Sequence, residues 1–308
     1  MRNGSGSEIP VWGWITFGVV VVVLLLVDLL TIRGKRATSR RVAAIWSIIW
    51  VGTGLGFAVF LWFNFGGRAA EQYLAAYLIE KSLSLDNLFL FLLVFQSLKI
   101  EPRYQHEVLF WGILGAVVFR GIFIFIGASA LERFGWVSYV FGAVLLYGAY
   151  RAFRKDPSKL GESKIVRWLS EHLPVTREVT EGKFIRRENG KRVATPLLIA
   201  LIAIELTDVV FAIDSVPAAL TMTRDRFLVY SSNVFAILGL RALYLLLAHT
   251  IAGLKYLHYG LAMVLLFAAV KIVGDPWFEI QPLVSVGVII VVIGTAILAS
   301  LRARRHNR

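Results

Sequence analysis

Five carboxylates in this chain stand where carboxylates are rare. Glu80 and Asp86 fall within AYLIEKSLSLDNLFLFLLVF, and Glu205, Asp208 and Asp214 within LLIALIAIELTDVVFAIDSVPAAL. Both runs are otherwise apolar and long enough to cross a bilayer. An acidic side chain near the bilayer centre costs at least ~2.5 kcal/mol on insertion scales, so such residues face a polar pathway or a partner charge rather than lipid. Asn87 beside Asp86 and Ser215 beside Asp214 add neutral oxygens, and Asn233 in SSNVF is a further candidate. Neither cluster contains His, and the chain has no Cys. An oxygen-only donor set suits magnesium, calcium or manganese(II) rather than copper or thiolate-bound zinc. The basic residues that apolar spans hold near them, Arg120, Arg241 and Lys81, are too few to neutralise five acids. They read as counter-ions to the acidic set. Crowded carboxylates in a low dielectric also accept protons when a cation leaves, which is the physical basis of cation and proton exchange. The same charge repels an oxyanion.

These residues need apolar helices to hold them, and composition supplies little else: 57% of the residues are hydrophobic. Candidate spans fall at 11–30, 42–65, 70–98, 108–130, 137–150, 194–220, 227–250, 256–273 and 283–301. The chain therefore reads as all-α, a single polytopic membrane domain over 1–308 with about nine transmembrane helices. The first span lacks a small-residue cleavage pattern after it and reads as a retained helix, with Asp28 near its end as a snorkelling or capping residue in preference to a pathway role. Without Cys, disulfide scaffolding and thiol redox chemistry are excluded. No nucleotide loop, hydrolase motif or cofactor fingerprint appears, so neither an enzyme nor a permanently bound cofactor is expected.

The formal net charge of +13 has a topological reading. Lys and Arg concentrate in alternate loops: the 33–41 cluster, the long 151–193 loop and the C-terminal tail. The positive-inside rule then puts the N-terminus outside and the C-terminus in the cytoplasm, and no nucleic-acid partner is needed to explain the charge. The 151–193 loop is read as a cytoplasmic connector. Within it IVRWLSEHL could form a short helix with Ile165, Val166, Trp168, Leu169 and Leu173 on one apolar stripe, suited to a membrane surface. Lys271, at a helix end, is expected to snorkel.

The two acidic spans are related. Glu80 and Asp86 are spaced like Asp208 and Asp214, and SLDNLF aligns with AIDSVP. One span later each is followed by a lone Arg, in LGAVVFRGIFIF and ILGLRALYLL, and then by the similar runs YVFGAVLLYGAY and HYGLAMVLLFAAV. This defines a three-helix repeat over 70–150 and again over 194–273, separated by the 151–193 loop. An odd number of spans inverts the second copy, and in transporters of that design the site lies near the midplane between the copies. Helix geometry sets one difficulty. A spacing of six turns a side chain by about 240° on an ideal helix, so Asp208 and Asp214 diverge unless the helix breaks. Pro217 is the expected break, freeing the Ile213 carbonyl beside Asp214; the first copy has Phe89 at that place.

EKSLSLDNLFLFLLVF and ELTDVVFAIDSVPAAL resemble the two signature regions of the TerC family of integral membrane proteins, and within it the Alx-type manganese(II) exporters. The likeness continues in WLS of the long loop, in VATPL at 193–197 and in SSNVFAILGLRALYLLLA at 231–248. The resemblance implies a bacterial inner-membrane protein of nine helices that exports manganese(II), with Glu80, Asp86, Glu205, Asp208 and Asp214 in the transport site. The expected function is a secondary transporter that moves manganese(II) out of the cytoplasm in exchange for protons, by rocking of the two repeats in the lipid bilayer. A calcium/proton exchanger is the alternative within that class. A membrane scaffold or assembly factor without transport activity is the alternative outside it, against which the surplus of carboxylates argues. Protein partners are not specified by the sequence.

Overall fold

In a hydrocarbon layer each backbone N–H and C=O must be satisfied within the protein, and a helix does this within one segment. The long apolar runs fold accordingly. The computed structural model describes residues 9–31, 40–154, 164–172, 182–188, 191–247, 256–275, 277–278 and 280–306. Among them lie eleven helices and one hairpin: α1 (Val11–Thr31), α2 (Arg40–Phe65), α3 (Gly67–Ser97), α4 (Pro102–Arg133), α5 (Val137–Arg154), α6 (Lys164–His172), β1 (Ile185–Glu188), β2 (Lys191–Ala194), α7 (Pro196–Leu220), α8 (Arg226–Leu238), α9 (Leu240–Leu247), α10 (Leu257–Gly274) and α11 (Pro282–His306).

Among the described residues, six helical stretches are long and apolar enough to cross a membrane: Arg41–Phe65, Pro102–Arg133, Pro196–Leu220, Arg226–Leu246, Leu257–Gly274 and Pro282–Ala303. Val11–Val27 is a shorter apolar helix. The expected count of nine is therefore not reproduced by length and composition. α3 falls outside the set because Glu80, Lys81 and Asp86 interrupt it, and α5 because Arg151 and Arg154 at its end, with its Tyr and Gly residues, lower its mean hydropathy. Apolar side chains cover the outside of α1, α2 and α11, where Ile15, Val22, Ile48, Phe63, Leu283 and Val291 are all exposed. Such a surface is stable in lipid and not in water.

α3, α7, α8 and α10 supply most of the interior. α3 packs on α7 and α8, α4 on α7 and α8, and α5 on α10. An aromatic cluster ties α1 and α2 to α8: Phe57 lies 4.7 Å from Phe235 and Trp14 lies 4.9 Å edge-on from Phe227 between ring centroids. Edge-to-face and tilted pairs of this kind add to the area they bury.

Two local expectations need correction. α7 continues through Pro217 to Leu220, so the proline does not break it. Pro217 sits in the last turn and withholds only the bond it would give to Ile213, a small loss at a helix end. The interruption lies instead at Gly239, between α8 and α9. Lys271 is 8% exposed and donates to Ser285 Oγ at 2.9 Å, so it is buried rather than snorkelling.

The described residues of the long loop form a short helix and a pair of strands. α6 forms over the expected residues and packs on α7 through the buried Val166 and Leu169, while Trp168 is exposed and stacks on His172. Leu173 lies outside the described residues. β1 and β2 pair antiparallel, with Ile185 opposite Ala194 and Glu188 opposite Lys191. Thr195, which follows β2, donates through Oγ1 to the Lys183 carbonyl at 2.7 Å and the Phe184 carbonyl at 3.1 Å. The hairpin is thereby anchored at the start of α7, where Pro196 occupies the first helical position.

Candidate transport site

Arg120 is the centre of the polar interior. It sits midway along α4, the side chain 1% exposed, and joins three helices. Nη1 donates to Glu80 Oε2 on α3 at 2.5 Å. Nε and Nη2 donate to Asp208 Oδ2 and Oδ1 on α7 at 3.0 and 2.8 Å, a bidentate pair. Nη1 also reaches Ser215 Oγ at 3.4 Å, because Asp208 and Ser215 are two turns apart and share a face of α7. Arg120 thus pairs with two of the five candidate carboxylates. One guanidinium faces two carboxylates here, and Glu80 Oε1 is buried with no partner among the described residues.

The unbroken α7 turns Asp214 away from Glu205 and Asp208, as the spacing requires. Asp208 faces α3 and α4, while Asp214 faces α5 and pairs with Arg151, Nη2 to Oδ2 at 3.0 Å. Glu205, one turn before Asp208, packs against α4 at Gly115. A Cβ on Gly115 would lie 2.1 Å from Glu205 Oε1, so this position is open only to glycine as the carboxylate stands. Glu205 Oε2 is also buried without a partner among the described residues. Gly148 on α5 plays a milder version of the same part, its absent Cβ 3.3 Å from Asp214 Cγ and Oδ2.

Lys81 reaches from α3 to the backbone of α8. Its Nζ donates to the Ala236 carbonyl at 3.0 Å. That carbonyl is one of the last four of α8, which have no intrahelical donor once the helix stops at Gly239. Gly239 itself admits the lysine, since a Cβ there would lie 2.9 Å from Nζ. Arg241 is buried at the start of α9 and is not among the partners of Glu80, Asp208 or Asp214. Asn87 and Asn233 are buried, and among the described residues Asn87 Oδ1 and both amide atoms of Asn233 have no partner. The side chain of Asp86 lies outside the described residues.

Among the described residues no three acidic or imidazole side chains gather closely enough to hold a metal ion together. The geometry explains why: Arg120 stands between Glu80 and Asp208, and the intact helix turns Asp214 toward α5. Two participants escaped the reading of the sequence. Arg151 lies one residue past the expected end of its span and looked like part of the basic loop; Gly115 looked like one more membrane-helix glycine.

The "Integral membrane protein TerC family" profile matches residues 65–308. Alx of Escherichia coli strain K12, named as a proposed membrane-bound redox modulator, is 42% identical over 308 residues, covering 96% of both chains. An Alx of the same description from Salmonella typhi is 44% identical over 288 residues, covering 90% of this chain and 89% of that one. An uncharacterised membrane protein of Myxococcus xanthus is 40% identical over 296 residues, covering 95% and 93%. No solved structure matches. A multi-pass helical chain with both acidic spans inside the matched region, this protein belongs to the TerC family of integral membrane proteins.

Proposed function

We propose that this protein is a secondary transporter of the bacterial inner membrane that exports manganese(II) in exchange for protons, with its N-terminus outside and its C-terminus in the cytoplasm. The observation that carries the reading is the set of buried carboxylate and amide oxygens without a partner among the described residues, Glu80 Oε1, Glu205 Oε2, Asn87 Oδ1 and Asn233 Oδ1, in the same bundle as the Arg120 cluster. Each such atom costs about 1–3 kcal/mol if left unsatisfied, which a purely structural bundle would have no reason to retain. A cation passing between them supplies the missing partner. Hard oxygens select a hard cation, and of magnesium, calcium and manganese only the last has accessible redox chemistry. That agrees with relatives named for redox modulation, since this chain has no thiol to act through.

Alternating access follows from the inverted repeat, α3–α5 against α7–α10. Helix packing supports the pairing: α3 lies on its counterpart α7, α5 lies on its counterpart α10, and the α4–α7 contact is matched by α8–α3. The site residues sit on these seams. The ion binds on one side, the two repeats rock, and protons taken up by the vacated carboxylates return on the reverse stroke.

The test is manganese(II) uptake into inside-out membrane vesicles with and without an imposed pH gradient. Wild type takes up manganese(II) when the gradient is present, Asp214→Asn does not, and magnesium fails to compete. Equal uptake by vesicles lacking the protein overturns the reading, and uptake of calcium in preference to manganese moves the calcium/proton exchanger to first place.

A further inference from the structure

The ion pairs holding the site acids are of two kinds. Arg120 is clamped by three hydrogen bonds to two carboxylates and is wholly buried. Arg151 makes one contact with one oxygen of Asp214, and its side chain is 48% exposed against 14% for Asp214. Gly148 and Arg151 are three residues apart and share a face of α5, so the bare backbone at Gly148 seats the Asp214 carboxylate while Arg151 reaches over it. Asp214 Oδ1 receives no hydrogen bond among the described residues. The guanidinium stands in the last turn of the helix on a long stem, so it can swing away with little loss of packing.

We infer that Arg151 is a specificity-determining counter-ion that competes with the transported ion for Asp214, so that divalent cations displace it and monovalent cations do not. This rests on the reading of Asp214 as a ligand of that ion. The reasoning is one of charge. A sodium or potassium ion brings to the carboxylate no more charge than the guanidinium it must displace, and it sheds hydration to do so. A divalent ion doubles the attraction at the same distance. The pair therefore acts as a threshold: it keeps Asp214 neutralised against abundant monovalent ions and yields to a doubly charged one. Arg120 cannot do this, because removing it from between Glu80 and Asp208 uncovers two buried charges at once.

The experiment is equilibrium binding of radioactive manganese(II) to the full-length protein purified in detergent, titrated with sodium at constant ionic strength. Wild type is compared with Arg151→Gln, Arg151→Lys and Asp214→Asn, with thermal melting to verify folding. Arg151→Gln binds manganese(II) roughly two- to fivefold tighter, the value of one half-exposed ion pair, and its binding falls as sodium rises. Arg151→Lys restores the wild-type affinity and indifference to sodium. A merely structural role for Arg151 would weaken binding and create no sodium sensitivity. Unchanged or weaker affinity in folded Arg151→Gln overturns the inference while the transport reading stands; Arg151→Met, which keeps the apolar stem, answers the question if Arg151→Gln does not fold. Absence of any manganese(II) binding to folded wild type overturns the transport reading and this inference with it.

Discussion

Replacing Gly115 by alanine separates function from stability, because the group it displaces is the far end of a flexible side chain. The added Cβ would stand 2.1 Å from Glu205 Oε1, 2.5 Å from Cδ and 2.6 Å from Oε2. Ordinary contact requires the carboxylate to retreat by about 1 Å, whereas a metal ligand tolerates only about 0.2 Å. Alanine in a helix interior is favoured over glycine by about 1 kcal/mol, which offsets the cost of turning Glu205 aside. Gly115→Ala is therefore expected to melt within a few degrees of wild type while its manganese(II) affinity falls roughly 10- to 100-fold, the range seen when a ligand loses its positioning partner. Glu205→Gln is the companion variant, and the double variant should be no worse than either single one. Wild-type affinity in Gly115→Ala would refute the placement of Glu205 in the site. A loss of binding that tracks a loss of folding would refute the claim that only the carboxylate moved.

The remaining expectations test the frame around the site. Arg120→Met leaves Glu80 and Asp208 buried and unpaired and should destabilise the protein by roughly 3 kcal/mol or more in a detergent melt, with much of that recovered when Glu80→Gln and Asp208→Asn are added. Gly239→Ala meets Lys81 Nζ at 2.9 Å and Trp50 Cβ at 3.0 Å; because the second atom is next to backbone, this variant should lose stability where Gly115→Ala does not. Thr195→Ala removes both bonds from Oγ1 to the 183–184 carbonyls and should cost about 1 kcal/mol locally, read as faster amide exchange over the hairpin with the membrane helices unaffected.

What could be read from the sequence and what could not follows from the range of the forces involved. Apolar runs declared the helices, and an arginine alone in LGAVVFRGIFIF had to find carboxylates, as Arg120 does. α6 was legible from its apolar spacing. Pro217 misled because proline is a strong local signal whose effect depends on position, and here it falls in the final turn. Gly239 carries the interruption instead, and a glycine in a membrane helix is too common to single out. The hairpin had a signal that the reading as a connector passed over: Asn189-Gly190 between short β-prone stretches is a strong two-residue turn pattern. Arg151 and Gly115 could not be found in the sequence, because their roles depend on which helix lies opposite, and packing decides that.

Passage of a cation across the bundle through the acidic seams is measured most directly as manganese(II) flux into proteoliposomes that enclose a metal-quenched dye, with purified wild-type protein and Glu205→Gln reconstituted at equal density. Wild type is expected to quench the dye, faster with a pH gradient, and the folded variant is not. Quenching no faster than in protein-free liposomes, with or without the gradient, would contradict such passage.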